Sequence, residues 1–103
     1  MTVTTARPDS VRILGKDVKI VYSSTDQGME MLGLCHYDRH LINIMEGQPA
    51  IGERNTVFHE VMHMTEYGMG LEMTEKQITV LTNGLIAVFE DNPEFAKYVI
   101  GLK

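Results

Sequence analysis

Cysteine, basic residues and long apolar runs are all scarce in this sequence, and each shortage excludes a class of protein. The single cysteine, Cys35, has no second cysteine to pair with, so the fold does not depend on a disulfide or on an oxidising compartment. Nine Lys and Arg stand against fourteen Asp and Glu, and no basic cluster is present that would neutralise phosphates. With a net charge of -5, the chain is expected to have no nucleic acid partner.

Apolar runs are too short for a membrane span. The longest one, residues 85–89, is far below the roughly 20 residues that cross a bilayer. Charged residues such as Arg7, Asp9 and Arg12 leave no room near the start of the chain for the apolar core of a signal peptide. We therefore expect a cytoplasmic protein with no membrane partner.

The 103 residues are enough for one domain, and the first half of the chain has the pattern of a small sheet. Residues 1–10 are polar, contain Pro8 and are expected to form a flexible lead-in. β-Branched and apolar runs then predict two hairpins, the first turning at Gly15-Lys16-Asp17 and the second near Tyr37-Asp38. The four strands are predicted at residues 11–14, 18–22, 29–35 and 40–45. We expect the hairpins to form an antiparallel sheet, followed by a loop over residues 46–51.

In the second half of the chain the apolar period becomes helical. A first helix is predicted from Gly52 to Gly68, a second begins at Thr74 with a capping box to Gln77, and Pro93 opens a short third. The residues expected to pack these helices are Val57, Phe58, Val61, Met62, Met64, Thr65, Ile78, Leu81, Leu85, Val88, Phe89, Phe95, Tyr98, Val99 and Leu102. The pattern predicts a single α+β domain over residues 11–103.

The strongest chemical signal is the H-E-x-x-H motif formed by His59, Glu60 and His63. Residues four apart on a helix differ by about 40° in azimuth and about 6 Å in height, so the two imidazoles can converge on one metal ion. Catalytic zinc takes three protein ligands and keeps a fourth position for water, and Glu60, turned by about 100°, can act as general base on that water. The apolar stripe lies almost opposite the histidines, which therefore face solvent or another polar surface. The alternative is an incidental pair of surface histidines.

A third ligand is required, and three carboxylates are candidates. Glu66 lies on nearly the same azimuth as the two histidines, but three stacked side chains on one helix form a row rather than a tetrahedral face. Glu72 lies in the turn between the helices. Glu75 is better placed, because the break from Gly68 to Gly70 allows the second helix to fold back beside the first. A structural role for Glu75, as a carboxylate that complements the dipole of the helix N-terminus, stays open.

Residues 55–85 resemble the ImmA/IrrE-like metallo-endopeptidases, a zincin group common in phages, prophages and mobile elements. His59, Glu60 and His63 match the motif of the family's metal helix. The next helix of the family carries a Glu followed by small or apolar residues and a Leu. That run is matched here by Glu75, Ile78, Leu81, Thr82 and Leu85. Including the hairpin that ends at residues 41–44, the resemblance extends over residues 11–92, and the chain is closest to short, stand-alone phage-type members.

The resemblance implies a minimal zincin-like fold in which His59, His63 and Glu75 hold one zinc ion per chain. It implies a zinc metallo-endopeptidase with Glu60 as general base and a peptide or protein as substrate, acting in the host cytoplasm if a phage encodes it. Two alternatives stay open: a zincin-fold, zinc-binding interaction protein without useful turnover, and a metal-free α+β domain. Two imidazoles and a carboxylate also suit other divalent metals.

Two further features have both a functional and a structural interpretation. Cys35, His36 and His40 cluster on the second hairpin, where they could ligate the metal or touch substrate, although a lone cysteine is more often a packing residue. Tyr67 lies one turn beyond His63 and could polarise a substrate carbonyl, whereas packing at the helix end is the commoner role.

Overall fold

The computed structural model describes residues 6–24 and 32–102. Four strands are followed by three helices, which confirms the predicted α+β class. The strands are β1 (Ser10–Ile13), β2 (Lys16–Ser23), β3 (Gly33–His36) and β4 (Leu41–Met45), and the helices are α1 (Ala50–Gly68), α2 (Glu75–Asp91) and α3 (Pro93–Val99). Residues 1–5 of the predicted lead-in and residues 29–31 of the predicted third strand lie outside the described residues.

The sheet has the strand order β1-β2-β4-β3 and is mixed rather than wholly antiparallel. Both predicted hairpins form, β1 with β2 and β3 with β4. They join through β2 and β4, which run parallel, with Ile20 beside Ile42 and Tyr22 beside Ile44. The expectation of antiparallel pairing is therefore wrong at this junction, because the parallel register places the apolar side chains of the two central strands together in the core.

The first hairpin turns one residue earlier than predicted. Leu14 and Gly15 form its loop, with φ angles of 50° and 83°. A two-residue loop with positive φ at both positions matches the right-handed twist of the flanking strands. Asp17, which was expected in the turn, instead lies in β2 opposite Arg12 and accepts a hydrogen bond from its guanidinium.

Two other boundaries differ from the prediction. Between β3 and β4 the chain makes a 3-10 turn over Tyr37–Arg39, and His40 follows with a left-handed φ of 51°, so β4 begins one residue later than expected. α1 begins at Ala50, directly after Pro49, whose carbonyl accepts the first helical hydrogen bond from Glu53. The loop predicted over residues 46–51 therefore ends at Pro49.

The described part of the lead-in is held against the rest of the protein. Arg7 donates hydrogen bonds to Glu46 and Glu53, and its guanidinium carbon lies 4.0 Å from the centroid of the Tyr22 ring. The Tyr22 hydroxyl donates to the carbonyl of Pro8 at 2.7 Å. These contacts connect residues 7 and 8 to both the sheet and α1.

α1 packs on the sheet with a face that the apolar pattern did not predict. Its buried residues are Thr56, Glu60 and Met64, each four residues from the next. Val57 and Val61 are partly buried against the core, whereas the predicted stripe contributes only Met64 to the fully buried set. The predicted stripe is thus wrong in phase, because the helix buries a threonine and a carboxylate that a hydropathy pattern assigns to the surface. The core comprises Ile13, Val18, Ile20, Ile42, Ile44 and Met64.

The two C-terminal helices are attached through a narrow seam. The predicted capping box at the start of α2 is confirmed, since Thr74 and Gln77 each donate a backbone N–H to the other's side chain. Ile78 and Thr82 are the buried residues of α2, and α3 has none. The expectation that both helices dock by their apolar residues is wrong for six of these, which are at least 41% exposed. The reason is that α2 packs mainly on α1 and α3 mainly on α2, so neither helix covers the sheet. These six are Leu81, Val88, Phe95, Tyr98, Val99 and Leu102.

Across residues 6–24 and 32–102, no helix combines the length and the apolar character that a bilayer span requires.

Candidate metal centre

Three predicted ligands converge where α1 passes the start of α2. Nε2 of His59 lies 2.6 Å from Oε1 of Glu75, and Nε2 of His63 lies 2.9 Å from Oε2 of the same carboxylate. The two Nε2 atoms are 3.2 Å apart. One donor atom from each side chain falls within 4.8 Å of the others, so the three residues form a group that could hold a metal ion. We refer to His59, His63 and Glu75 as the metal group.

The turn between α1 and α2 determines where Glu75 lies. Gly70 adopts a φ of 71°, and the N–H of Leu71 returns to the carbonyl of Glu66 at 2.9 Å. The N–H of Met73 then donates to the Glu66 side chain, also at 2.9 Å. Thr74 caps α2, so Glu75 is the first residue of that helix and faces back toward α1.

The donor set suits zinc. With bonds of 2.0–2.1 Å, a tetrahedral zinc ion needs neighbouring donor atoms about 3.3 Å apart, so the three side chains would have to separate by roughly half an ångström. Glu75 is 70% exposed and free to make that adjustment, while His59 and His63 are 19% and 14% exposed and fixed on the helix. The same contacts are also those of a His–Glu ion pair, which is the metal-free alternative.

The histidines face another polar group, which is one of the two environments that the sequence pattern predicted for them. They do not point to open solvent but to the carboxylate of Glu75, and Nδ1 of His63 is buried. No hydrogen-bond partner for this nitrogen is found among the described residues, and the nearest carboxylate oxygen is Oε1 of Glu66, at 3.7 Å. Metal-ligating histidines usually direct their second nitrogen to a carboxylate or carbonyl, which is the position that Glu66 occupies.

Glu60 is buried beside the metal group, at 7% exposure, and packs against β3. The Cys35 thiol lies 3.1 Å from its Oε1 atom and 3.2 Å from its main-chain carbonyl. At Gly33 a Cβ atom would lie only 2.8 Å from Cγ of Glu60, so glycine is required for this close approach. Burial and the neighbouring Glu60 raise the pKa of the Cys35 thiol well above its usual range.

A cavity of about 500 Å³ opens between β3, α1 and the start of α2. It contains both the metal group and Glu60. The lining residues are Leu32, Gly33, Leu34, Cys35, Tyr37, Asn55, Thr56, His59, Glu60, His63, Glu75 and Asn83. β3 is the last strand on this side of the described sheet, so an edge strand forms one wall of the cavity.

The other candidate residues fall outside the metal group. Glu72 is exposed between α1 and α2. Glu66 accepts a hydrogen bond from the N–H of Met73, and its Oε1 atom lies 3.7 Å from Nδ1 of His63. His36 contacts Asn43 at 3.1 Å, while His40 is exposed beside a second, separate cavity.

Cys35 is the member of its cluster that reaches the main cavity, where it touches Glu60 rather than the metal group. Tyr67 stacks on Tyr37 with ring centroids 4.5 Å apart and borders the second cavity. The packing interpretation of Tyr67 is therefore the one that the geometry favours.

The residues of the cavity wall that were not identified from the sequence include Gly33, Asn55 and Asn83. Asn55 lies four residues before His59 and therefore on the same face of α1, a spacing that could have identified it. Its Oδ1 atom is buried and accepts no hydrogen bond from the described residues. No sequence signal points to Asn83 or to Gly33, because their positions depend on how α2 and β3 lie against α1.

Comparison with known proteins adds no relative. No protein-family model matches the chain, and neither the curated proteins nor the solved structures contain a match. The resemblance to ImmA/IrrE-like metallo-endopeptidases thus stays a prediction carried by the motif residues.

Proposed function

We propose that this protein is a zinc-dependent metallopeptidase that binds zinc through His59, His63 and Glu75. The observation that carries the proposal is their convergence in one cavity that also contains the buried carboxylate of Glu60. A structural zinc site would normally be closed by a fourth protein ligand, and the described chain brings no further His, Cys, Asp or Glu into the group. An open coordination position favours catalysis.

The residues of the cavity have separate roles in this proposal. Bound zinc would polarise a peptide carbonyl and lower the pKa of water. Glu60 would take a proton from the attacking water and return it to the leaving amine. Oε1 of Glu60 faces the Cys35 thiol, while Oε2 accepts no hydrogen bond from the described residues and is the atom available for the proton.

An extended peptide is the substrate that the edge strand favours. Leu32 accepts a hydrogen bond from Met45 of β4, so in the antiparallel ladder the backbone groups of Leu34 also face β4. Those of Gly33 and Cys35 consequently point away from the sheet, along the cavity. A peptide that pairs there as an added strand would lie beside the metal group.

Metal analysis tests the first part of the proposal. We expect about one zinc ion per chain and its loss in His59→Ala and in His63→Ala, because two imidazoles are needed for the site. His40→Ala is the matched control and should keep the metal, since His40 is exposed and outside the group. Affinity should fall at low pH, because each imidazole must be deprotonated to bind. Metal content unchanged in both His59→Ala and His63→Ala would remove the proposal.

Peptide cleavage tests the second part. Glu60→Gln keeps the volume of the side chain and removes the base, so the variant should retain zinc. Its rate of cleavage on a pool of unstructured peptides should fall by about a hundredfold to ten-thousandfold. Glu94→Gln is the control, because Glu94 is exposed on α3 and contacts only Lys97 among the described residues. Equal cleavage by wild type and Glu60→Gln would contradict the assignment of the base.

The zinc-binding interaction protein is the second candidate. It is favoured by the apolar side chains exposed on the C-terminal helices, such as Val80 at 62% and Tyr98 at 81%. Zinc binding without cleavage of any peptide in the pool would support this candidate over the peptidase.

A further inference from the structure

We propose that Gly33 and Cys35 of β3 form a seat that holds the Glu60 carboxylate in a fixed position, with Cys35 as a positioning residue. The functional meaning of this Glu60 seat rests on the proposed role of Glu60 as general base. The contacts that define the seat are properties of the fold itself and can be tested without metal or substrate.

The strand geometry places both residues of the seat under α1. Gly33 and Cys35 are two apart in β3, so both face the same side of the sheet. Ile42 and Ile44, their partners in β4, are fully buried on that side. Glu60, in the middle of α1, reaches this face, where its carboxylate contacts Cys35 and its Cγ and Oε2 atoms lie beside Gly33.

Gly33 provides the space for the carboxylate. A Cβ atom at this position would lie 2.8 Å from Cγ and 2.9 Å from Oε2 of Glu60, and 3.0 Å from a methyl carbon of Thr56. Real Cβ atoms do not approach so closely, and the neighbours here are held by the packing of α1 on the sheet. Any larger residue would therefore displace Glu60 from the seat.

Cys35 provides the hydrogen bond. Glu60 is only 7% exposed, and burying a charged side chain without a hydrogen-bond donor is strongly unfavourable. Among the described residues, the thiol is the donor that the structure places against the carboxylate, at 3.1 Å from Oε1. A neutral thiol can donate, whereas a thiolate would repel the carboxylate. The raised pKa of Cys35 agrees with its role as a donor.

The thiol gives a direct spectroscopic test, because the chain contains one cysteine and hence one S–H stretching band. We expect the band of the metal-free protein to move to higher frequency in Glu60→Gln, since a neutral amide oxygen is a weaker acceptor than a carboxylate. Glu94→Gln should leave it unchanged. A band that does not move in Glu60→Gln would mean that the thiol donates to the main-chain carbonyl of residue 60, and it would overturn the proposal.

Substitutions in the seat give the functional test with zinc present. Cys35→Ala should lower kcat about tenfold with KM unchanged, in line with the loss of one hydrogen bond, and Cys35→Ser should restore most of that loss. Gly33→Ala should lower kcat further while zinc stays bound, because none of the three ligands is touched. Gly84→Ala is the matched control, because a Cβ atom there meets nothing within 4 Å.

The outcomes separate this inference from the proposed function. Full kcat in both Cys35→Ala and Gly33→Ala would overturn the seat, even if the protein is a zinc peptidase. Absence of cleavage by wild type would contradict the peptidase, and the shift of the S–H band would then decide alone whether the seat exists. If Cys35→Ala or Gly33→Ala loses zinc or its cooperative unfolding transition, the S–H band in Glu60→Gln decides whether the seat exists.

Discussion

Glu66 illustrates how a single side chain can serve two neighbours at once. Its Oε2 atom accepts the N–H of Met73 in the turn that leads to Glu75, and its Oε1 atom is the carboxylate oxygen nearest to the buried Nδ1 of His63. Glu66 thus contacts the surroundings of two of the three proposed ligands without being a ligand. Its position explains why a carboxylate on the azimuth of the histidines does not join the group of His59, His63 and Glu75.

The three carboxylates around the turn can be ranked by their effect on zinc affinity. Glu75→Ala removes a proposed ligand and should weaken binding by far more than a hundredfold. Glu66→Ala removes only a neighbour of the ligands and should cost about ten- to a hundredfold. Glu72→Ala should have no measurable effect, because that side chain is exposed and outside the group.

Titration of zinc into the three variants at one pH, with a competing chelator, measures this order. A larger effect of Glu72→Ala than of Glu75→Ala would place the third ligand in the turn and contradict the geometry. A Glu66→Ala effect equal to that of Glu75→Ala would contradict the assignment of Glu75 rather than Glu66 as the third ligand.

At the scale of whole elements, local chemistry and the pairing of neighbouring elements were predictable, whereas the pairing of elements distant in the sequence was not. The capping box at Thr74 and the helical spacing of His59 and His63 each involve residues within four positions of one another. The local sequence is therefore sufficient to predict both features. The parallel pairing of β2 with β4 depends on residues about twenty positions apart. The burial of Glu60 likewise depends on Gly33, in a distant strand. Neither of these two contacts produces a periodic pattern in the sequence from which it could be predicted.

The cap of α2 connects helix stability to the metal site. Thr74→Ala removes the hydroxyl that accepts the N–H of Gln77 at 3.1 Å, and should lower the free energy of unfolding by about 1 kcal/mol. Because Glu75 is the first residue of this helix, a frayed first turn should also weaken zinc binding. Thr74→Ser keeps the hydroxyl and serves as control.

Urea unfolding and zinc titration of both variants test this connection. We expect Thr74→Ala to lose stability and affinity together, and Thr74→Ser to lose little of either. Unchanged zinc affinity in a measurably destabilised Thr74→Ala would show that the cap does not position Glu75.

Considered as a whole, the molecule has two parts that differ in the number of buried residues that stabilise them: the sheet with α1, and α2 with α3. The sheet and α1 contain the entire buried apolar cluster. α2 contributes two buried residues, and α3 contributes none. The polar contacts that cross from α1 to the C-terminal helices include those of Glu75 with the histidines and one exposed ion pair between Arg54 and Glu90. The candidate metal site therefore lies on the seam between the two parts.

A zinc ion bound at this seam should act as a cross-link between α1 and α2. Without zinc, we expect amide hydrogen exchange to be faster in α2 and α3 than in β2, β4 and α1, because elements with few buried contacts open locally at low free energy. Zinc at about a hundred times its Kd should stabilise the protein by about 2.7 kcal/mol, with the largest slowing of exchange in the first turns of α2. At the same zinc concentration, Glu75→Ala should exchange almost like the zinc-free protein. Uniform protection across all elements without zinc, or equal slowing in Glu75→Ala, would contradict this account of the seam.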